Sequence, residues 1–449
     1  MSGAGDMNSL VEKVRSAGVV GAGGAGFPSY VKIQASADVL IANGAECEPL
    51  LYKDQTIIQR FSAELLQGMA LLMEQTGASR GVIAIKEKHQ DSISHIEPLL
   101  PGNIELKRMP NVYPAGDEYE LVYEITGNRI PAGGLPKDIG VLVQNVETLV
   151  NIARAAEGRP VTRTMITVHG EVEHPFTAWL PIGMRFVDVI SLAGAITCDD
   201  PVVIDGGAMM GHVVDNLDTP ISAVSSGLLV LPRDTNLVKR RSETEQQYKR
   251  IGKSGCDQCT LCTEMCPRYL LGYPIQPHLV MRSLLTTGEV SETLSVHAQA
   301  CCECNICTLW ACPEQLNPRD ICVSTKRDLK ANDLWLTPEQ LQGQTREVHS
   351  MREYRGVPSQ RLARKLGLAK YDSKTARWKD IDTVPSRVII PLHQRMGQHP
   401  EPLVKTGDMV AEGAVIAATP GEGMGVPVHA SISGKVTLID GFVEINAVN

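Results

Sequence analysis

The stretch "CDQCTLCTEMCP" sets Cys256, Cys259, Cys262 and Cys266 ahead of Pro267. "CCECNICTLWACP" repeats the device with Cys301, Cys304, Cys307 and Cys312 ahead of Pro313. Ten of the twelve cysteines fall between residues 256 and 322. In a reducing cytosol such clustering means metal or redox work rather than disulfides. Structural zinc takes four ligands, usually as two CxxC pairs separated by a dozen or more residues. Here each run alone carries four cysteines, three of them at three-residue spacing, which favours iron–sulfur chemistry over zinc.

That spacing matches the bacterial ferredoxin run, in which three close thiolates serve one cubane and the fourth, before proline, reaches the other. The match implies two [4Fe–4S] clusters with crossed ligands. Cluster I takes Cys256, Cys259, Cys262 and Cys312; cluster II takes Cys301, Cys304, Cys307 and Cys266. Cys312 follows a four-residue gap where the first run has three, which sets it apart from the other seven. Cys302 and Cys322 are left over and read as packing residues. The insert "YLLGYPIQPHLVMRSLLTTGEV" reads as helical after its prolines, so the module is a helical ferredoxin.

Two further stretches offer a site for a donor. "VVGAGGAGFPSYVKI" places Gly21, Gly23, Gly24 and Gly26 after a short apolar run, where missing Cβ atoms let main-chain N–H groups approach a phosphate or a flavin ring. By itself this pattern also fits a Rossmann fingerprint or an ordinary loop. "IANGAECEPLLYKD" then sets Asn43, Glu46 and Glu48 at the end of the apolar run "DVLIAN", the edge where α/β folds place ligands. Two loop glutamates also fit plain solvation.

With 449 residues the chain has room for about three domains. Its net charge of −8 gives no electrostatic case for a nucleic-acid partner. No apolar run approaches the ~18 to 20 residues that cross a bilayer, so no integral membrane segment is expected. The N-terminus lacks a secretory pattern; it fits a short amphipathic helix through Met7, Leu10, Val11 and Val14. A cytoplasmic protein is the expectation.

Taken in order, "GAGGAGFPSYVK", "NGAECEPLL", "YPAGDEYELVYEITG", "GGLPKDIGVLVQNVETLVNIA" and the twin cysteine runs resemble the RnfC family of electron-transport proteins. More distantly they resemble the flavin-carrying, NADH-oxidising subunit of respiratory complex I. The resemblance covers most of residues 8–330 and implies FMN in a Rossmann-like domain, with NADH stacked on it. It implies that Gly21, Gly23, Gly24 and Gly26 line flavin and nucleotide, that Lys32 meets the FMN phosphate or ring, and that Asn43 and Glu46 meet its polar edges. Phe27 would stack on nicotinamide or adenine, Glu118 would lie by the dinucleotide, and Asn145 and Thr148 would contact the phosphate side. Ala22 and Cys47 stand where the complex I proteins carry arginine and serine.

After Pro160, "RTMITVHGEVEHPFTAWLPIGMRFVDVISLAG" alternates like strands and then reads as a helix, resembling the family's ubiquitin-like SLBB module. "GGAMMG" reads as turn glycines, with contact to a cluster or flavin as the other possibility. The tail has short β-rich runs whose halves, "VKTGDMVAEGAVIA" and "VHASISGKVTLIDG", look like a lipoyl-like barrel-sandwich hybrid. No lysine lies between Lys405 and Lys435 to carry a swinging arm.

The fold expected is therefore multidomain α/β plus β. Residues 1–157 form the FMN/NADH domain, 158–235 the SLBB domain, 236–334 the two-cluster ferredoxin domain, 335–385 a polar helical linker and 386–449 the barrel-sandwich hybrid. A barrel at the C-terminal end, rather than the N-terminal end, resembles the cobalamin-reducing branch of the family found with propanediol-utilisation microcompartments. That resemblance implies cobalamin or a corrinoid adenosyltransferase as partner, contact with the microcompartment shell or an iron–sulfur shell protein, and residence inside the compartment. Two other readings stand beside it: the electron-input subunit of a membrane Rnf-type complex, and a non-catalytic relay.

Overall fold

The computed structural model describes residues 9–421 and 423–448. Met7 of the expected N-terminal helix lies outside them. The helix itself, Leu10–Ser16, begins where Ser9 Oγ accepts from Glu12 N at 3.3 Å, and it buries Val14.

Four strands, Val39–Gly44, Arg80–Lys86, Ile104–Met109 and Val141–Asn145, make a parallel sheet. Their order across the sheet is third, second, first, fourth. Runs such as "VIAI" in the second strand have no exposed member, as strands covered on both faces require. Leu40, Ala42, Ile83 and Ile85 pack with Leu65, Met69 and Leu149 of the helices Ser62–Thr76 and Val146–Ala156. The alternate residues Ile41, Val82 and Ala84 pack with Leu121 and Val122 of the helix Glu118–Thr126.

The next module has strands Arg163–Gly170 and Phe176–Pro181, then the helix Phe186–Ser191, as the alternation predicts. Strands Pro201–Asp205, His212–Val214 and Gly227–Pro232 complete most of its sheet. In the cysteine module, helices Glu245–Gly255, Pro277–Ser283, Gly288–Ser295 and Pro318–Ala331 surround the two runs. The C-terminal module stacks two small antiparallel sheets. Its Val388, Ile390, Val443 and Ile445 share one continuous core with Ile182 and Met184 and with the N-terminal domain. The chain is thus a multidomain α/β and β protein.

Residues 335–385, expected as a helical linker, form a strap. Val357–Pro358 pairs with Val112–Tyr113, and Arg377–Trp378 pairs with Phe176–Thr177 as the edge of the six-stranded sheet. Between them only Ser359–Lys365 is α-helical. The strap's charges reach back to the domains. One guanidinium nitrogen of Arg352 meets Glu120 at 2.5 Å and Glu124 at 2.7 Å, and Lys370 Nζ meets Glu171 at 2.5 Å.

Candidate functional site

Both neighbours of the strand Val39–Gly44 follow it in sequence, one on each side, so the strand order reverses there. A parallel sheet opens a crevice at such a point, beyond the C-terminal strand ends. Asn43 and Asn145 are register partners at that end. Asn43 Nδ2 donates to Gly116 O at 3.0 Å. Asn145 Nδ2 donates to Asp54 Oδ1 at 3.1 Å, while its Oδ1 accepts from Glu147 N at 2.9 Å and caps the helix Val146–Ala156.

The glycine loop lies over this edge. Gly21 N donates to Phe27 O at 2.9 Å, which closes the loop, and Ala22 N donates to Thr148 Oγ1 at 3.0 Å. Buried Lys53 holds the loop from beneath. Its Nζ donates to Ala22 O at 2.8 Å and pairs with Glu147 at 2.6 Å. A Cβ on Gly23 would lie 3.2 Å from Asn145 Cβ, and one on Gly24 would meet nothing within 4 Å. Gly26 has φ +66°, and its missing Cβ leaves space for Val224 and the backbone of Arg395. The loop precedes the first strand instead of following it, so it is not the turn of a Rossmann fingerprint.

The other predicted residues are placed around the same edge. Lys32 Nζ pairs with Glu118 at 3.5 Å and donates to Val143 O at 3.5 Å. Glu46 Oε1 accepts from Cys47 N at 2.9 Å and Glu48 N at 3.0 Å, which folds the loop back on itself. Phe27 is half-buried at the return of the glycine loop.

Two carboxyls beside this edge are strongly perturbed: Glu48, which the motif named, and Asp54, which it did not. Burial, with help from Glu46, pushes Asp54 up to about 8. Burial pushes Glu48 up to about 7, although its carboxylate accepts from Met209 N at 2.8 Å and Met210 N at 2.9 Å. Those donors come from "GGAMMG". Its Gly207 lies so close to Glu48 that a Cβ there would fall 2.1 Å from the carboxyl carbon. The loop is a contact between modules rather than a set of free turn glycines. Glu147 could have been suspected as a charge set in the apolar run "VETLV", whereas Lys53 and Asp54 open a polar stretch and carry no such signal.

The loop also reaches the second cysteine run, because Asn305 Nδ2 donates to Met209 O at 2.8 Å. Tyr113, fully within the protein, donates its hydroxyl to Cys304 O at 2.8 Å. The N-terminal domain is therefore hydrogen-bonded to the backbone around Cys304.

Both runs repeat one backbone pattern. Gln258 and Thr260 flank Cys259 with φ of 60° and 67°, and Glu303 and Asn305 flank Cys304 with 62° and 69°. This register matches Cys256, Cys259 and Cys262 with Cys301, Cys304 and Cys307, leaving Cys302 outside the pattern. The extra residue before Cys312 is taken up by a π turn over Ile306–Ala311, closed by Cys312 N donating to Cys307 O at 3.1 Å.

Cys312 consequently lines one cavity with Cys256, Cys259 and Cys262. Burial and the neighbouring sulfurs of Cys256, Cys312 and Cys259 push Cys262 up to about 12. Cys266 instead lies among the second run: burial, Cys302 and Cys301 raise it, and it raises Cys304 and Cys307 in turn. Cys322 is buried beside Cys301, and half-buried Cys302 lies beside Cys304. Donors reach three sulfurs: Gln258 Nε2 to Cys256 at 3.1 Å, Glu303 N to Cys301 at 3.4 Å and Leu316 N to Cys312 at 3.3 Å.

Residues 14–154 match the Nuo51 FMN-binding domain, 165–213 the SLBB domain, 255–317 the 4Fe-4S dicluster domain and 365–448 the RnfC barrel sandwich hybrid domain. On this frame they define an electron-transfer protein that uses FMN and iron–sulfur clusters. The chain is 42% identical over 435 residues to cobalamin reductase PduS of Citrobacter freundii, covering 97% of this chain and 95% of that one. With cobalamin reductase PduS of Salmonella typhimurium it shares 42% over 433 residues, covering 96% and 95%. It is 34% identical over 273 residues to the C component of the ion-translocating oxidoreductase complex of Yersinia enterocolitica, covering 59% of this chain and 38% of that one. The chain belongs to the PduS cobalamin reductase family. Among the described residues no helix is long and apolar enough to cross a membrane.

Proposed function

We propose that this chain passes electrons from NADH through FMN and two [4Fe–4S] clusters to cobalamin. The observation that carries the reading is the run of contacts from the sheet edge at Asn43 and Asn145, through Tyr113 and the Met209 loop, to the second cysteine run. In balance, one NADH reduces two cob(III)alamin to two cob(II)alamin, leaving NAD⁺ and a proton.

When bound, FMN accepts a hydride's two electrons and releases them singly, and the clusters conduct them one at a time. The residues present fit these groups. The space above Gly24 is open, Gly23 leaves Asn145 accessible, and the helix after Asn145 turns its N-terminal end toward the crevice. Gly21, Gly23 and Gly24 admit the flavin, while Gly26 seats the loop against Val224 and Arg395. Asn43 and Glu46 orient the flavin's polar edges, Asn145 faces its phosphate side, buried Thr148 acts by holding Ala22 N, and Lys32 supplies a cation. Phe27 and Glu118 serve the dinucleotide.

For the metal centres, the grouping of thiols supports Cys256, Cys259, Cys262 and Cys312 as one ligand set. Cys266, Cys301, Cys304 and Cys307 form the other. We keep the five modules read from the sequence as the working division, with 335–385 acting as a strap. The relatives' name supports cobalamin as the acceptor. We extend it to an adenosyltransferase partner, to contact with the microcompartment shell and to a place inside the compartment.

The test is anaerobic purification with iron, sulfide and flavin quantified, then NADH titration followed optically and by EPR, and finally addition of cob(III)alamin. Bleaching of the flavin, two reduced-cluster signals and formation of cob(II)alamin are expected. Zinc in place of iron, or cob(III)alamin unchanged by stoichiometric NADH, refutes the reading.

A further inference from the structure

The two thiol groups are not equivalent in position. The group around Cys304 is bonded to the N-terminal domain through Tyr113, whereas the group around Cys262 includes the exposed Cys259. Electrons entering at the sheet edge therefore leave from the Cys256, Cys259, Cys262 and Cys312 side.

A second cavity, of about 500 Å³, opens on that side, and Cys312 forms part of its wall as well as part of the first. It lies between the end of the SLBB sheet, the π turn and the strap. Leu237, Leu309 and Leu366 give it an apolar lining, and Asn236 and Gln315 add amides. Arg240, Arg364 and Lys365 line it too, with no carboxylate among the lining residues, in a chain whose net charge is −8. Arg240 is only 9% exposed. One of its terminal nitrogens donates to Thr308 O at 2.6 Å and Leu316 O at 3.0 Å, but its Nε has no acceptor. Among the described residues no carboxylate lies within ion-pair distance of it. Burial disfavours its charge, and the main compensating groups are Cys312 and Glu243, so Arg240, Arg364 and Lys365 together leave the cavity wall basic.

We propose that this cavity is the docking site of the corrinoid acceptor. It receives one flank of the corrin on the leucine wall, with the amide side chains on Asn236 and Gln315 and the phosphodiester of the nucleotide tail facing Arg240, Arg364 and Lys365. A single electron then crosses the wall at Cys312 to cobalt, with no bond made to the protein. The cavity is too small to enclose a whole corrinoid, as suits an acceptor that arrives oxidised and departs reduced. The inference rests on the electron-transfer function proposed above.

The test uses anaerobic holoprotein and equilibrium dialysis against two probes. Hydroxocobalamin carries the phosphodiester; cobinamide lacks the nucleotide tail. Arg364→Glu, on an exposed helical position, weakens hydroxocobalamin binding about tenfold and leaves cobinamide binding unchanged. Asn236→Trp, which fills the mouth, weakens both. Iron and flavin content and the thermal unfolding midpoint show that each variant is folded. If both variants bind both probes as the wild type does, or the wild type binds neither, the site is wrong. NADH-driven reduction of hydroxocobalamin by the wild type, measured alongside, separates that failure from failure of the function itself.

Discussion

Lys53→Met probes the support beneath the glycine loop. Lys53 and Glu147 are 2.6 Å apart with side chains 2% and 1% exposed. At an effective dielectric of about 20 the gross attraction is about 6 kcal/mol, most of which offsets the cost of desolvating both ions. Methionine keeps the length of the side chain and removes the charge. Glu147 is then left with donors from Thr164 Oγ1 at 3.0 Å and Met165 N at 3.3 Å but no cation. Stranding one member of a buried pair costs about 3–5 kcal/mol. Lys53→Met/Glu147→Gln keeps an acceptor for both donors and buries no charge, so it recovers about half of that loss. Ala22 O also loses its donor, so flavin retention falls in both variants. Urea unfolding of the flavin-free protein, followed by circular dichroism, measures the first effect, and flavin content after gel filtration measures the second. A loss below ~1 kcal/mol in the single variant, or a double variant no better than the single, refutes this account of the pair.

Four other outcomes can be checked. Cys312→Ser lowers bound iron from about eight toward four atoms per chain and removes one of two reduced-cluster EPR signals; unchanged iron would exclude Cys312 as a ligand. Tyr113→Phe removes the bond to Cys304 O and costs about 1–2 kcal/mol, read from the urea midpoint. Gly24→Ala leaves the unfolding midpoint unchanged, because its Cβ meets no protein atom, but lowers bound flavin; full flavin occupancy places the ring elsewhere. Glu48 is held by burial at about 7 against an ordinary 4.5, so the folded state keeps a proton that the unfolded chain loses. Stability therefore falls as pH rises from about 4.5 to about 7 and is flat in this respect above. In Glu48→Gln the slope of urea midpoint against pH over this window becomes shallower, the remainder belonging to groups such as Asp54.

The cysteine runs were legible because most of their geometry is local: the spacing along the chain already positions three sulfurs per run. The sheet edge was legible for a similar reason, since Asn43 ends an apolar run and Asn145 opens a helix. Contacts that join distant segments were not. Lys53 and Glu147 are each charged residues in ordinary helices until the fold sets them face to face. "GGAMMG" looked like turns because its partners, Glu48 and Asn305, belong to two other modules. The four-residue gap before Cys312 was visible, but its accommodation as a π turn is a property of the backbone. The strap read as a linker because its composition is polar. Several of its apolar residues, including Leu362, Leu366, Leu368 and Tyr371, are nevertheless buried, and its charges find acids on the domains it crosses.

The strap has a bearing on synthesis. Arg377–Trp378 covers part of the outer rim of the sheet at Phe176–Pro181, and that rim is translated some two hundred residues before its cover. Until then the nascent protein presents unpaired strand groups to its neighbours on the polysome. A product terminated after the second cysteine run keeps every metal-binding thiol and yet retains this adhesive border, so shortened versions made for spectroscopy will clump unless the border is masked.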